Sequence, residues 1–402
     1  MPFQYDFETV KAAILFNTVE VIPSNHDDLD KEIKYLIDNA NNSGELIRHY
    51  IGFEISGQIH IGTGLMTALK IKALQSAGIK CSIYLANYHT WLNKKLDGKM
   101  ETIIAVKKQY FEPVFMKTCQ IAGCDIDLID FVGAEKLYYS KLGNNYQFLD
   151  YMLKVAQNLT LARVSKSITV TGKKESETVQ FALLNYPVMQ VADAFFMQIH
   201  LVHAGIDQRK CHVLMREVAY NMDEGFGLNI GQKIIKPIAM HHALLLSLGV
   251  DSVSVSKRIT ADIDDDSLKM SKSKPDSAVW VHDDLTETQR KLKKAYCPMV
   301  KDGQTIEEIE AEQKFNPILN WCENLIFKAD KVIVILRPEK FGGNTVYNNF
   351  DSLKKDYYEN KLHPIDLKNG VANCLASWFE PVLEFTQNEG KQGLELVKNI
   401  KK

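Results

Sequence analysis

The sequence predicts an α/β protein: a parallel sheet built from strand–helix–strand units, carrying a helical insertion and followed by a mostly helical carboxy-terminal part. Three observations predict it. The run Arg48 to Ile55 has the aromatic and β-branched content of a buried strand. A helix beginning near Gly62 and ending at Gly78 separates it from a second strand, Lys80 to Ala86, and this order favours a parallel sheet with right-handed crossovers. After Pro298 the pattern turns mostly helical and stays so to Lys402.

The remaining elements follow in order. Residues 1–43 read as helical, with a cap at Asp27-Asp28-Leu29-Asp30 and an apolar stripe at Ile33, Leu36 and Ile37. Helices are expected around 101–123 and 145–164, with a short strand near Ile126 to Phe131 between them. Residues 165–180 are polar and Lys/Thr-rich, which predicts an extended loop or hairpin. Helices are expected from Val188 to Val202 and from Gln208 to Tyr220, placing His200 and His203 on a helix surface, and Ile234 to Met240 reads as a further strand. Four aspartates, Asp262, Asp264, Asp265 and Asp266, make an acidic tract.

Composition excludes several classes. The 402 residues can bury a large core and divide into two or three domains. With 48 Lys+Arg against 50 Asp+Glu, the chain as a whole is not a basic nucleic-acid binder, so any such contact rests on local patches. Asp6, Glu8 and Glu20 interrupt the amino end where a signal peptide would be apolar, and no apolar run approaches membrane-spanning length. Seven cysteines without paired spacing suit reduced thiols in a cytoplasmic protein, and no Cys/His set has zinc-ligand spacing, so no metal site is expected in the chain.

Two runs carry chemistry. Lys269-Met270-Ser271-Lys272-Ser273 interleaves mobile positive charges with hydroxyl donors on a loop, which suits a triphosphate. Far upstream, Ser56-Gly57-Gln58-Ile59-His60-Ile61-Gly62-Thr63-Gly64 joins a strand to a helix. Gly57 permits a tight turn, Gly62 lets a planar base approach the backbone, and the helix N-terminus favours phosphate. His60 can donate to phosphate oxygens as charge builds. No Ser-His-Asp or Cys-His arrangement stands out.

In this order the two runs resemble the two signatures of class I aminoacyl-tRNA synthetases. The resemblance implies ATP as substrate with its Mg²⁺, catalytic roles for His60, Lys269 and Lys272, and ATP contacts from His60, Gly62, Thr63, Lys269, Met270, Ser271, Lys272 and Ser273. Thr63 stands where the family carries a second histidine. Three further runs, Tyr50-Ile51-Gly52-Phe53-Glu54, Tyr186 to Asp193 and Gly205-Ile206-Asp207-Gln208-Arg209-Lys210, resemble the tyrosyl-tRNA synthetases of archaeal/eukaryotic type. That resemblance assigns the substrate phenol to Tyr50 and Asp193, and its α-amino group to Tyr186, Gln190 and Gln208. Gly52, Glu54, Leu85, Ala86 and His89 complete the expected tyrosine-binding set. Asn87 replaces an aspartate common in archaeal relatives. If 188–202 is helical, Gln190 and Asp193 share one face.

On the tRNA side, Arg337 to Gly343 and Leu362 to Asn369 resemble the same family, which implies anticodon contacts at Phe341, His363 and Asp366. An aromatic can stack on an unpaired base and a carboxylate can accept from guanine. The plainer reading of the second run is a helix start, with Pro364 in the first turn and Asp366 near the dipole. Both can hold. The implied organisation is an amino-terminal helical extension (1–45), a Rossmann-like catalytic domain (46–262) whose insertion at 91–184 serves dimerisation and the acceptor stem, a Lys/Ser loop and linker (263–300), and a helical anticodon-binding domain (301–402). The implied function is a cytoplasmic, homodimeric ligase joining tyrosine to tRNA(Tyr). A tryptophan-specific relative and a tRNA-binding protein without ligase activity stay open as alternatives. Truncation near residue 300 is expected to spare adenylate formation while impairing tRNA charging.

Overall fold

The computed structural model describes residues 3–140, 146–222, 225–231, 233–251, 255, 268, 270 and 275–400. Its centre is a six-stranded sheet made of β1 (Glu20–Ile22), β2 (Arg48–Phe53), β3 (Lys80–Leu85), β4 (Ile129–Gly133), β5 (Leu201–Gly205) and β6 (Ile238–His242). The spatial order is β1-β6-β5-β2-β3-β4, with β1 antiparallel and every other pair parallel. From β2 the chain runs outward through β3 to β4, then returns to β5 on the other flank of β2. The switch point therefore lies between the carboxyl ends of β2 and β5, where such sheets bind ligands.

The amino-terminal segment is α1 (Phe7–Leu15), β1 and α2 (His26–Ser43), so the expected all-helical stretch contains an edge strand. Three residues are too few to display a period, and β1 is specified by its partner, with Val21 opposite Met240. The α2 cap is Asn25, which accepts from Asp28 N; Asp27 and Asp28 lie in the first turn rather than at the cap. Lys70 of α3 (Ile61–Ser76) fastens this segment to the sheet. Its buried ammonium donates to the carbonyls of Ala13, Ile14 and Phe16 and to Thr18 Oγ1 at 2.6–2.9 Å, satisfying the exposed end of α1.

Beyond β3 come α4 (Asn87–Leu92), α5 (Met100–Val106) and α6 (Glu112–Ala122), with one π-helical turn, Lys107–Phe111, between the last two. A short α7 (Ala134–Leu137) follows β4, and the helix expected at 145–164 is split into α8 (Phe148–Gln157) and α9 (Leu161–Ser167). Residues 165–180 form no hairpin: α9 runs into a 3₁₀ turn at Ile168–Thr171.

The largest departure lies at 188–202. The helix α10 (Asn185–Phe196) stops early, Gln198 turns left-handed at φ 53°, and β5 follows. A short apolar run reads alike as buried strand or helix end, which is why the periodicity misassigned it. His200 and His203 are consequently buried, not on a helix surface. The α11 helix (Arg209–Val218) matches expectation, while β6 begins at Ile238 because Pro237 interrupts the run.

The carboxy-terminal part holds α12 (Leu285–Lys293), α13 (Ile306–Gln313), α14 (Pro317–Trp321), α15 (Phe350–Tyr358), α16 (Pro364–Gln387) and α17 (Lys391–Asn399), plus a hairpin of Ile333–Ile335 and Thr345–Tyr347. It packs on the sheet domain: Trp378 Nε1 of α16 donates to Ile121 O of α6 at 3.0 Å. Among the described residues no helix is long and apolar enough to cross a membrane. All seven cysteines are free.

Candidate active site

The strand-to-helix turn after β2 forms as the glycine pattern predicts, with Gly57 at φ 137°. His60 caps α3: its Nδ1 accepts from Thr63 N at 3.2 Å, and its Nε2 lies 3.1 Å from Thr63 Oγ1. With Nδ1 accepting, the ring proton sits on Nε2 and points to the threonine hydroxyl. The histidine thus folds back over Gly62, where an added Cβ would stand 3.2 Å from Nδ1 and 3.7 Å from Met270 Sδ. Met270, one member of the Lys/Ser loop, therefore lies beside the turn. Lys269, Ser271, Lys272 and Ser273 lie outside the described residues, as does most of the acidic tract's surroundings at 252–254 and 256–267.

The turn is fastened on both sides. Ile59 N donates to the Tyr110 hydroxyl at 3.0 Å. Ile61 N donates to Val279 O and Val281 N to Ile59 O, so the segment following the Lys/Ser loop forms a bridge with it. That segment is fixed in turn by Asp283, which accepts from Trp280 N and from the buried Lys291 ammonium at 2.6 Å.

Two cavities adjoin at the switch point. The larger, about 380 Å³, is bordered by His60, Gly62, Thr63, Met270, Glu54 and Lys95 among others. The smaller, about 50 Å³, is bordered by Tyr50, Gly52, Glu54, Ala86, His89, Tyr186, Gln190, Asp193 and Gln208. Gly52, Phe53, Glu54, Tyr186, Ala204 and Gln208 belong to both walls. The structure thus brings together every residue expected to bind tyrosine except Leu85. Alternation along β3 gives the cavity Tyr84 instead, while Leu85 is buried outside that lining.

At the inner end of the small cavity, Asp193 is fully buried, and burial pushes its carboxyl up to about 8 although two phenols hydrogen-bond to it. Burial likewise raises the hydroxyls of Tyr50, Tyr84, Tyr138 and Tyr186, and lowers His89 to about 3, so that its imidazole is neutral. At the outer end, Gln190 Nε2 donates to Gln208 Oε1 at 3.4 Å and Gln208 Nε2 to Val170 O at 3.0 Å. Glu54 accepts from Asn93 Nδ2 at 2.7 Å and faces the Lys95 ammonium at 3.7 Å. Lys94 and Leu96, at φ 47° and 56°, are left-handed on either side of Lys95, a strained arrangement of the kind that clusters at functional sites. Among the described residues no group of three or more His, Cys, Asp or Glu side chains could hold a metal ion.

A family model described as tRNA synthetases class I (W and Y) matches residues 42–380. The tyrosine–tRNA ligase of Pyrococcus abyssi is 42% identical over 365 residues, covering 89% of this chain and 91% of that protein. The chain belongs to the tyrosyl-tRNA synthetases of class I. Among solved structures it is similar to tyrosyl-tRNA synthetase complexed with L-tyrosine from Pyrococcus horikoshii, with TM-score 0.84, 37% identity and coverage of 98% and 100% of the two chains. Tryptophanyl-tRNA synthetase from Aeropyrum pernix shares the fold alone, at TM-score 0.56 and 17% identity, over 93% of this chain and 83% of that one.

In this synthetase fold Tyr84 and Lys95 border the cavities, and Tyr138 and Asn93 hydrogen-bond to lining residues; the sequence reading left out all four. Strand alternation from Ala86 could have found Tyr84; no local signal marks Tyr138. Outside the cavity linings, the segments that carry the three residues assigned to the anticodon by the resemblance meet at Arg337, which touches Gly342, Lys361 O and Asp366. Phe341, 63% exposed, ends a 3₁₀ turn under the Lys340 ammonium, and Gly342 packs on the Arg337 guanidinium. Arg337 faces Asp366 at 3.9 Å, and His363 caps α16 by accepting from Ile365 N at 3.2 Å. Pro364 occupies the first turn, so the helix-start reading holds as well.

Proposed function

We infer that the chain is a tyrosine–tRNA ligase: it activates tyrosine with ATP to tyrosyl-adenylate, releasing pyrophosphate, and transfers the tyrosyl group to the 3′ end of tRNA(Tyr). The observation that carries this is the shared wall of the two cavities. A tyrosine with its phenol at Asp193 and Tyr50 directs its α-amino group toward Tyr186, Gln190, Gln208 and Glu54. Its carboxylate then emerges into the larger cavity beside the His60 turn.

Adenylation needs no protein nucleophile. A carboxylate oxygen attacks the α-phosphorus, and the bond to the bridging oxygen of pyrophosphate breaks. The chain positions the two reactants and stabilises charge on the leaving group. The Thr63 hydroxyl, which the His60 Nε2–H faces, and the N-terminus of α3 are donors at hand in the described residues, with His60 able to turn its Nε2–H to phosphate and with Lys269 and Lys272 assigned to pyrophosphate from the sequence. Thr63 orients the His60 ring and offers one hydroxyl donor. Mg²⁺ carried by the triphosphate as part of the substrate would supply charge neutralisation there. Selection against phenylalanine follows from Asp193, since a ligand without a hydroxyl leaves its buried Oδ2 without a hydrogen-bond partner, as is general for tyrosine-selecting enzymes of this kind.

The organisation assigned to the chain is an amino-terminal extension, a catalytic domain with the 91–184 insertion, a loop and linker, and an anticodon-binding region holding Phe341, His363 and Asp366. Exposed Leu149 and Leu153 on α8 and Leu161 on α9 support a homodimer through the insertion. A cytoplasmic location fits the free thiols. ATP–pyrophosphate exchange with each amino acid tests the reading. Exchange with tyrosine is expected; exchange with tryptophan alone would overturn the substrate, and none at all would favour a tRNA-binding role. Phe341→Ala should lower tRNA charging while leaving exchange intact.

A further inference from the structure

Asp193 is not served by substrate alone. Its Oδ1 lies 2.9 Å from the Tyr138 hydroxyl and 3.1 Å from the Tyr84 hydroxyl, and the two hydroxyls are 2.7 Å apart. With the carboxyl ionised, each phenol owns one proton, so the three oxygens share two. Tyr138 donates to the carboxylate in either arrangement, and Tyr84 donates to the carboxylate or to Tyr138. The second oxygen, Oδ2, faces His89 Nε2 at 3.7 Å, too far for a hydrogen bond. Neither nitrogen of His89 has a hydrogen-bond partner among the described residues.

Both phenols are rigidly placed. The Tyr138 ring stacks on Phe148 at 3.5 Å between centroids and on Tyr88 at 5.2 Å. The Tyr84 ring passes over Gly52, where an added Cβ would stand 3.3 Å from its Cδ1, so the glycine makes room for it. We propose that Tyr84 and Tyr138 are positioning residues for substrate selection: they hold Oδ1 of Asp193, fix the plane of its carboxylate and reserve Oδ2 for the phenolic hydroxyl of tyrosine. The proposal rests on the ligase reading above and extends it to Tyr84 in the cavity wall and to Tyr138, which lies outside the lining of both cavities.

A pH readout separates this role from plain packing. The titratable groups around Asp193 are Tyr50 from β2, Tyr84 from β3, His89 from α4, Tyr138 after α7, Tyr186 from its own helix, His203 from β5 and Cys211 and His212 from α11, with Glu54 beyond Tyr186; burial lowers His203 and His212 and raises the thiol. His89 is held neutral and the phenols stay protonated, which leaves Asp193 as the group that ionises near pH 8. Phenol donors favour the carboxylate, so removing one moves its ionisation to higher pH.

The test is ATP–pyrophosphate exchange by the full chain, Tyr84→Phe and Tyr138→Phe, with tyrosine and with phenylalanine, across pH 6–9. Each variant is expected to raise KM for tyrosine roughly 10-fold, from losing a hydrogen bond to a charged group, with kcat little changed. The acid limb of kcat/KM for tyrosine should shift upward, and the weak exchange with phenylalanine should persist, which also shows that the variant is folded. Wild-type KM and an unmoved limb in both variants would overturn the proposal, as would equal losses for the two amino acids with the limb unmoved. No tyrosine exchange by the wild-type chain would instead sink the ligase reading, and this inference with it.

Discussion

Asp193→Asn is expected to stabilise the folded chain, and to do so increasingly as pH rises. Burial holds the Asp193 carboxyl at about 8 in the folded protein, against an ordinary value of 3.8. Between those values the folded chain keeps a proton that the unfolded chain releases, so stability is full below the lower value and is lost as pH climbs toward 8. At about 1.4 kcal/mol per unit over roughly four units, the loss reaches about 6 kcal/mol. Asparagine keeps an acceptor for Tyr84 and Tyr138 and never ionises. Urea unfolding of both proteins from pH 4 to 8.5 measures the difference, and the buried histidines common to both cancel from it. The gap should be near zero at pH 4, widen steadily, and level off above pH 8. A gap that stays constant, or a wild type that is the more stable at pH 8, refutes the claim that Asp193 is held at an energetic cost.

Three other outcomes follow from the same geometry. Lys70→Met leaves three carbonyls at the end of α1 without their donor and should cost about 3 kcal/mol, read as a lowered melting temperature; an unchanged melt would show that α1 does not depend on this ammonium. Lys95→Met removes the charge facing Glu54 at the junction of the cavities. It should slow exchange about 10-fold at saturation with tyrosine KM nearly constant, and a KM effect alone would place Lys95 in binding only. Thr63→Val deletes the hydroxyl beside His60 Nε2 and should reduce exchange turnover roughly 3- to 10-fold, the worth of one hydrogen bond; equal turnover would mean that this hydroxyl does not orient the ring.

The sheet and its site were legible where local pattern and final environment agree. β2, α3 and β3 combine strong strand content with a glycine-marked turn, and their residues meet as the motif spacing implies. β1 and β5 were not legible. β1 is three residues long and exists only because β6 offers an edge. β5 continues an apolar run whose break is a single left-handed residue, Gln198. The same limit applies to the site. Asp193 and Gln190 were assigned through the family resemblance, and their spacing of three on one helix agrees with that assignment. Tyr138 reaches Asp193 across 55 residues through an aromatic stack that no linear spacing encodes.

The packing argues against the expectation that truncation near residue 300 leaves adenylation intact. The signature turn leans on Tyr110, which belongs to the π-helical turn between α5 and α6. Against that turn lies α17, so closely that a Cβ on Gly393 would come within 1.8 Å of the Gln109 carbonyl. His282 lies 3.1 Å from Gln58 Oε1 and edge-on to Tyr110, while Trp378 ties α16 to α6. The carboxy-terminal helices are therefore part of the frame that holds His60. Removing them exposes the apolar faces of α6 and the π turn and loosens the support of the catalytic turn itself. Loss of activation in a truncated chain reports that frame, not anticodon recognition. Point changes at Phe341, His363 and Asp366, which sit at the surface around Arg337, separate the two because they leave the packed face in place.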